Sequence, residues 1–167
     1  MTRYVRSFVL GAALLLAGCG LHPLYQGGGP GPVARTLGTI EVGQISGQAG
    51  WLMRNALHDR LRAAGTEEPR YRLDVELDDQ VTGFGVRTDN SVTRERRTLR
   101  ARYRLVDVEK GTVVLDATAG SDAGIDVVTS EYAVIAAEQT ALERLSDEVA
   151  DQIVARVALY ASRTAKK

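Results

Sequence analysis

Cys19 is the only cysteine of the 167-residue chain, so its chemistry is set by its surroundings and not by a partner thiol. It stands directly behind Leu16-Ala17-Gly18, after an N-terminal stretch with Arg3 and Arg6 and an apolar run over residues 8–16. Small residues just before a cysteine suit a lipoprotein peptidase, which would leave Cys19 as an acylated first residue. The apolar run is about half the roughly 20 residues that a membrane-spanning helix needs, so residues 1–18 read as a signal peptide. An ordinary signal peptide followed by an incidental cysteine is the plainer alternative. The chain holds no second thiol that would give Cys19 another use. Several acyl chains at about 0.8 kcal/mol per buried CH₂ would make this anchor effectively permanent.

The second chemical feature is a run of guanidiniums. Arg87, Arg94, Arg96, Arg97, Arg100, Arg102 and Arg104 crowd one stretch of a chain with 21 basic and 21 acidic residues in all. Cleavage after Gly18 removes two arginines and no acid, so the mature chain is slightly acidic and carries no general attraction for nucleic acid. Arg100, Arg102 and Arg104 alternate along a strand pattern and read as a solvated, salt-bridged face. Arg94, Arg96 and Arg97 have only Glu95 beside them in sequence, and guanidinium forks suit phosphates and carboxylates. Outside the cytoplasm the expected targets are anionic glycolipid or phospholipid head groups.

Catalytic patterns are missing. His22 and His58 cannot make a metal site with a lipidated cysteine. There is no Gly-x-Ser-x-Gly elbow and no serine–lysine pair in a suitable setting. Asp74, Glu76 and Asp78 fall on the solvent side of a strand, opposite arginines. The chain is therefore expected to be a binding or assembly component, with no enzyme activity and no cofactor.

Around these features the chain divides into residues 1–18, a Gly/Pro-rich tether over 19–36, and one domain over 37–165. The triple glycine Gly27-Gly28-Gly29 follows no strand and opens no helix, so it is not a phosphate loop. Within the tether, Leu21, Leu24 and Tyr25 flank Pro23 and could dock onto a partner. β-branched residues between Leu37 and Ile45 suggest a short first strand. Met53, Leu57, Leu61 and Ala64 form one helical stripe that stops at Gly65, with Trp51 off the stripe. Trp51 either meets the N-terminal segment or anchors a partner protein.

Tyr71, Leu73, Val75 and Leu77 alternate with acids, and Leu99, Ala101, Tyr103 and Leu105 alternate with arginines, as two half-buried strands that pair through opposite charges. The stretch 81–98 between them is either a long splayed hairpin or a loop at its tip, and the tip is expected to be mobile. A turn at Glu109-Lys110-Gly111 leads into a third strand of this meander. A long helix should start at Ser130 as its cap and run to about Ala161, burying Ile135, Leu142, Leu145, Val149, Ile153, Val157 and Tyr160. Its platform is expected to be Tyr71, Leu73, Leu99, Tyr103, Val113 and Leu115. The predicted class is α+β in the order β-α-β-β-β-α, with two helices on one face of a roughly four-stranded mixed or antiparallel sheet.

Cys19-Gly20-Leu21-His22-Pro23-Leu24-Tyr25 resembles the Cys-Gly-Phe-x-Pro-Leu-Tyr opening of one branch of the LptE lipopolysaccharide-assembly lipoproteins. The Thr93-Arg94 hairpin, the Ala101-Arg102-Tyr103-Arg104-Leu105 strand and the Ser130-Glu131-Tyr132-Ala133 helix entry are similar in order and spacing. Leu21 stands where that branch more often has an aromatic. The resemblance implies a non-enzymatic outer-membrane lipoprotein that partners and plugs the LptD β-barrel, helps it assemble, and contacts lipopolysaccharide. The alternative is an envelope lipoprotein that regulates a peptidoglycan synthase or another envelope enzyme. Cys19 is then the lipid attachment site, Arg94, Arg96 and Arg97 the lipopolysaccharide candidates, and Leu24, Tyr25 and Trp51 the partner contacts.

Overall fold

A computed structural model describes residues 31–65, 68–86 and 92–164. Cys19, Leu24, Tyr25 and the hairpin tip around Arg87 lie outside the described residues. The elements run α1 (Pro32–Gly38), β1 (Ile40–Val42), α2 (Gly47–Arg62), β2 (Tyr71–Val86), β3 (Val92–Asp107), β4 (Thr112–Asp126) and α3 (Glu131–Thr164). The four strands lie in chain order, with β1 parallel to β2 and the other pairs antiparallel. All three helices pack on one face, giving a mixed-sheet α+β fold.

The charge alternation of the two long strands sets their register. Asp74 lies opposite Arg104, Glu76 opposite Arg102 and Asp78 opposite Arg100, on the open face of the sheet. The other face buries Tyr71, Leu73, Val75, Leu99, Ala101, Tyr103 and Leu105 against the helices. A one-residue slip would exchange these two sets, so burial and charge select the same pairing. The stretch left open as hairpin or loop is strand on both sides, and pairing continues to Val86 opposite Val92.

The stretch assigned to a tether by composition ends in a helix. Pro32 takes the first turn, where its missing N–H costs nothing, and Ala34 and Leu37 are buried against the core. Leu37 is therefore helical, and the expected strand over 37–45 shrinks to Ile40–Val42 beside Tyr71–Leu73. α2 opens four residues earlier than Trp51, at Gly47, and buries Met53, Leu57 and Leu61 as the stripe predicts.

Two members of the expected core are outside it. Val113 is exposed because of an irregularity in the β3–β4 register: Leu105 faces Leu115, yet Val106 faces Val113. The extra residue, Val114, reverses the alternation there, so Val114 packs on the core while Val113 turns outward. Ile135 is 56% exposed, and the buried stripe of α3 begins at Ala141. Along β3 the apolar platform ends at Leu99, and beyond it Arg97 and Glu95 occupy the helix-facing positions. The turn into β4 forms as expected, with Gly111 at φ 63 donating its N–H to the Asp107 carbonyl and Lys110 N–H bound to the buried Asp107 carboxylate.

Candidate functional site

Strand alternation splits the tip arginines between the two faces of the sheet. Arg94 and Arg96 fall in phase with Arg100, Arg102 and Arg104 on the open face, while Arg97 falls in phase with Leu99 and points toward α3. Counting back two residues from Leu99 predicts that inward position. Grouping the arginines by proximity in sequence conceals it.

On the open face Arg94 Nε lies 3.2 Å from Asp126, with side chains 66% and 80% exposed. Arg96 Nε is 3.9 Å from Asp122, and its guanidinium sits 5.4 Å from the centre of the half-exposed Phe84 ring. Exposed pairs of this sort contribute about 0 to 1 kcal/mol, so an anionic ligand can compete for both guanidiniums at little cost. Further along, Arg104 meets Glu76 at 2.6 Å and Arg102 meets Asp116 at 2.9 Å. Hydrogen bonding from Arg102 lowers the Asp116 pKa from the usual carboxylate range.

Arg97 is committed to the fold. Its Nε and Nη2 donate to Asp79 at 2.9 and 2.6 Å, and its Nη1 donates to the Glu138 backbone carbonyl of α3 at 2.9 Å. Next to it on the same face, Glu95 lies against the Glu138 carboxyl, and Glu95 Oε2 is sealed from solvent without a hydrogen-bond partner. Burial, and then the like charge of Glu138, push the Glu95 pKa up.

The folded chain thus holds this proton more tightly than the unfolded chain. The stabilisation is fully present below the ordinary glutamate pKa and is lost as pH rises through the raised folded value. Glu95→Gln should therefore melt higher than the parent at neutral pH, and the difference should shrink on acidification into the usual carboxylate range. Melting curves across that window check this. A variant that melts lower at neutral pH would show that the ionised carboxylate is supported. Asp116 and Asp151, both lowered by arginine hydrogen bonds, act in the opposite direction and only below the usual range.

Trp51 is 64% exposed on the first turns of α2. That end of α2 meets α3 through Gln48 Nε2, which donates to Gln139 Oε1 at 2.7 Å. Beyond Gln139, α3 exposes Ile135 and Tyr132, the latter 88% exposed. Trp51, Ile135 and Tyr132 are thus three exposed apolar side chains on α2 and α3, and of these the sequence marks only Trp51 as a partner contact. Among the described residues no group of His, Cys, Asp or Glu is placed to hold a metal ion, and no helix is long and apolar enough to cross a membrane.

Helices on one face of the sheet, a charge-laddered open face and exposed aromatics define an α+β domain, and the solved structures it resembles include bacterial lipoproteins. A candidate lipoprotein from Caulobacter crescentus CB15 matches with a TM-score of 0.65 and 28% identity, covering 78% of this chain and 96% of that one. Rare lipoprotein B from Shewanella oneidensis shares the fold at a TM-score of 0.61 and 11% identity, over 75% of this chain and 97% of that one. A minor lipoprotein from Acinetobacter baumannii does so at 0.60 and 13%, over 73% and 92%. Comparison with curated proteins gives no sequence match. The family model described as LptE, lipopolysaccharide-assembly, matches residues 37–157. The chain belongs to the LptE family, and its role lies in lipopolysaccharide assembly.

Proposed function

We propose that this protein is the lipid-anchored subunit of an outer-membrane lipopolysaccharide translocon, held by acyl chains on Cys19 and seated in the LptD β-barrel. Family membership across residues 37–157 carries the reading. The lipobox before Cys19 supports the anchor, and Leu24, Tyr25 and Trp51 are the contacts offered to the partner. Arg94 and Arg96 on the open face would meet the phosphates of lipopolysaccharide, because their present ion pairs are exposed and weak. Arg97, the third candidate from sequence, has its fork engaged by Asp79 and α3.

Tagged protein purified from detergent-solubilised membranes is expected to bring down an outer-membrane β-barrel protein. Recovery of an inner-membrane synthase instead would favour the regulatory alternative. Arg94→Glu combined with Arg96→Glu should lower lipopolysaccharide binding by at least about tenfold, or 1.4 kcal/mol, and binding to the parent should weaken with salt. The melting temperature should stay near the parent value. Undiminished binding by the double variant would remove these two residues from the site.

A further inference from the structure

β4 forms one edge of the sheet over fifteen residues. In its register with β3, successive residues alternate between turning N–H and C=O toward β3 and turning them away. Gly120 fixes the phase. Its N–H donates to Gln152 Oε1 at 3.2 Å, and its carbonyl accepts from Gln152 Nε2 at 3.3 Å. One side-chain amide from α3 thus makes the pair of bonds that a neighbouring strand would make, and it closes the edge at that point.

The same phase turns the N–H and C=O groups of Asp122, Gly124 and Asp126 outward, where no hydrogen bond among the described residues reaches them. Between this stretch and α3 lies an open cavity of about 450 Å³, lined by Gly124, Ile125, Ala137, Ala141 and Arg144 among others. A Cβ at Gly124 would meet nothing within 4 Å. Natural sheets blunt long edges with bulges, prolines or inward charges. Residues 122–126 carry no register shift and no proline, and their two carboxylates lie on the open face beside Arg96 and Arg94.

We propose that the edge of β4 from Asp122 to Asp126 is a strand-addition site for an extended segment of another protein. Main-chain hydrogen bonds would supply the affinity, and alternate side chains the selectivity. One set of the incoming side chains falls on the open face beside Asp122 and Asp126, which selects lysine or arginine there. The other set points to the cavity under α3, whose alanines and Ile125 select small or medium apolar groups. A second copy is the wrong partner, because its own stretch 122–126 carries two carboxylates and no basic residue, and so brings no cation to Asp122 or Asp126 in any register. The proposal does not rest on the lipopolysaccharide reading above, although Asp126 and Asp122 are the ion-pair partners of Arg94 and Arg96 and the two sites adjoin.

The test uses the full chain in detergent and a fluorescein-labelled peptide, Thr-Lys-Val-Lys-Val-Lys-Thr. The peptide is expected to bind and to slow amide hydrogen exchange at Asp122, Gly124 and Asp126. Gly124→Pro removes the outward N–H without breaking a bond to β3, so it should weaken binding at least about tenfold with an unchanged melting temperature. The same peptide with glutamates for lysines should bind at least about tenfold more weakly than the lysine form. Should Gly124→Pro fail to fold, Asp122→Lys with Asp126→Lys replaces it and should reverse the preference between the two peptides. No binding, equal binding by Gly124→Pro, or exchange that slows elsewhere would overturn the proposal. Slowing at these three amides with rising protein concentration alone would overturn it in favour of self-association.

Discussion

Replacing Leu145 with alanine is expected to destabilise the domain by about 2 to 5 kcal/mol, a large share of the roughly 5 to 15 kcal/mol that holds a domain together. Leu145 is fully buried at the centre of the α3 stripe, one turn from Leu142 and from Val149, both also buried. Truncation leaves a cavity that the sheet beneath cannot fill, because Leu99, Tyr103 and Leu105 on β3 are themselves packed and sealed. Ile135→Ala is the matched control. It removes a similar volume from the same helix at a position 56% exposed, and should change stability by less than about 0.5 kcal/mol. Denaturant titrations of both variants measure the difference. A Leu145→Ala midpoint equal to that of the Ile135→Ala variant would show that α3 does not cover the core.

That control also marks a limit of sequence periodicity. The 3.6-residue repeat of α3 identifies Ile135 as facing the same way as Leu142, and it does. The repeat carries no information about where the supporting surface stops being apolar. On β3 that change is itself written in the sequence, since Leu99 is followed two positions back by Arg97 and then Glu95. Reading the two elements together would place Arg97 and Glu95 against the first turns of the helix. The charge ladder was legible because two independent alternations, apolar and ionic, demand the same register. The β4 irregularity was not, because Val113 and Val114 are chemically identical and only the partner strand decides which one turns inward. α1 was hidden by its length, since seven residues cannot display a helical repeat and its glycine and proline neighbours suggest a tether. The strand-like edge bonds of Gln152 have no local sequence signal at all, as they join residues 32 positions apart.

Arg97 is where this reading has the clearest energetic consequence. Its side chain is 13% exposed and that of Asp79 23%, so the pair lies between a surface bridge, at about 0 to 1 kcal/mol, and a buried one, whose disruption costs about 3 to 5 kcal/mol. Arg97→Ala is expected to cost about 2 kcal/mol, because it strands the Asp79 carboxylate and the Glu138 carbonyl together. Arg94→Ala and Arg96→Ala, which remove exposed partners, should each cost less than about 1 kcal/mol. Adding Asp79→Ala to Arg97→Ala should recover part of the loss, since the second change removes the unpaired carboxylate. The loss should also be local. The Arg97 fork joins β2, β3 and α3, so amide hydrogen exchange in the first turns of α3 should accelerate in Arg97→Ala while exchange near Leu145 keeps its rank as the slowest. Arg97→Lys should fall between parent and Arg97→Ala, as an ammonium can keep the Asp79 contact but cannot span Asp79 and the Glu138 carbonyl with a rigid fork. Equal stability of Arg97→Ala and Arg94→Ala would show that the inward guanidinium is as dispensable as the outward one, and would return Arg97 to the set of residues free to meet an anionic ligand.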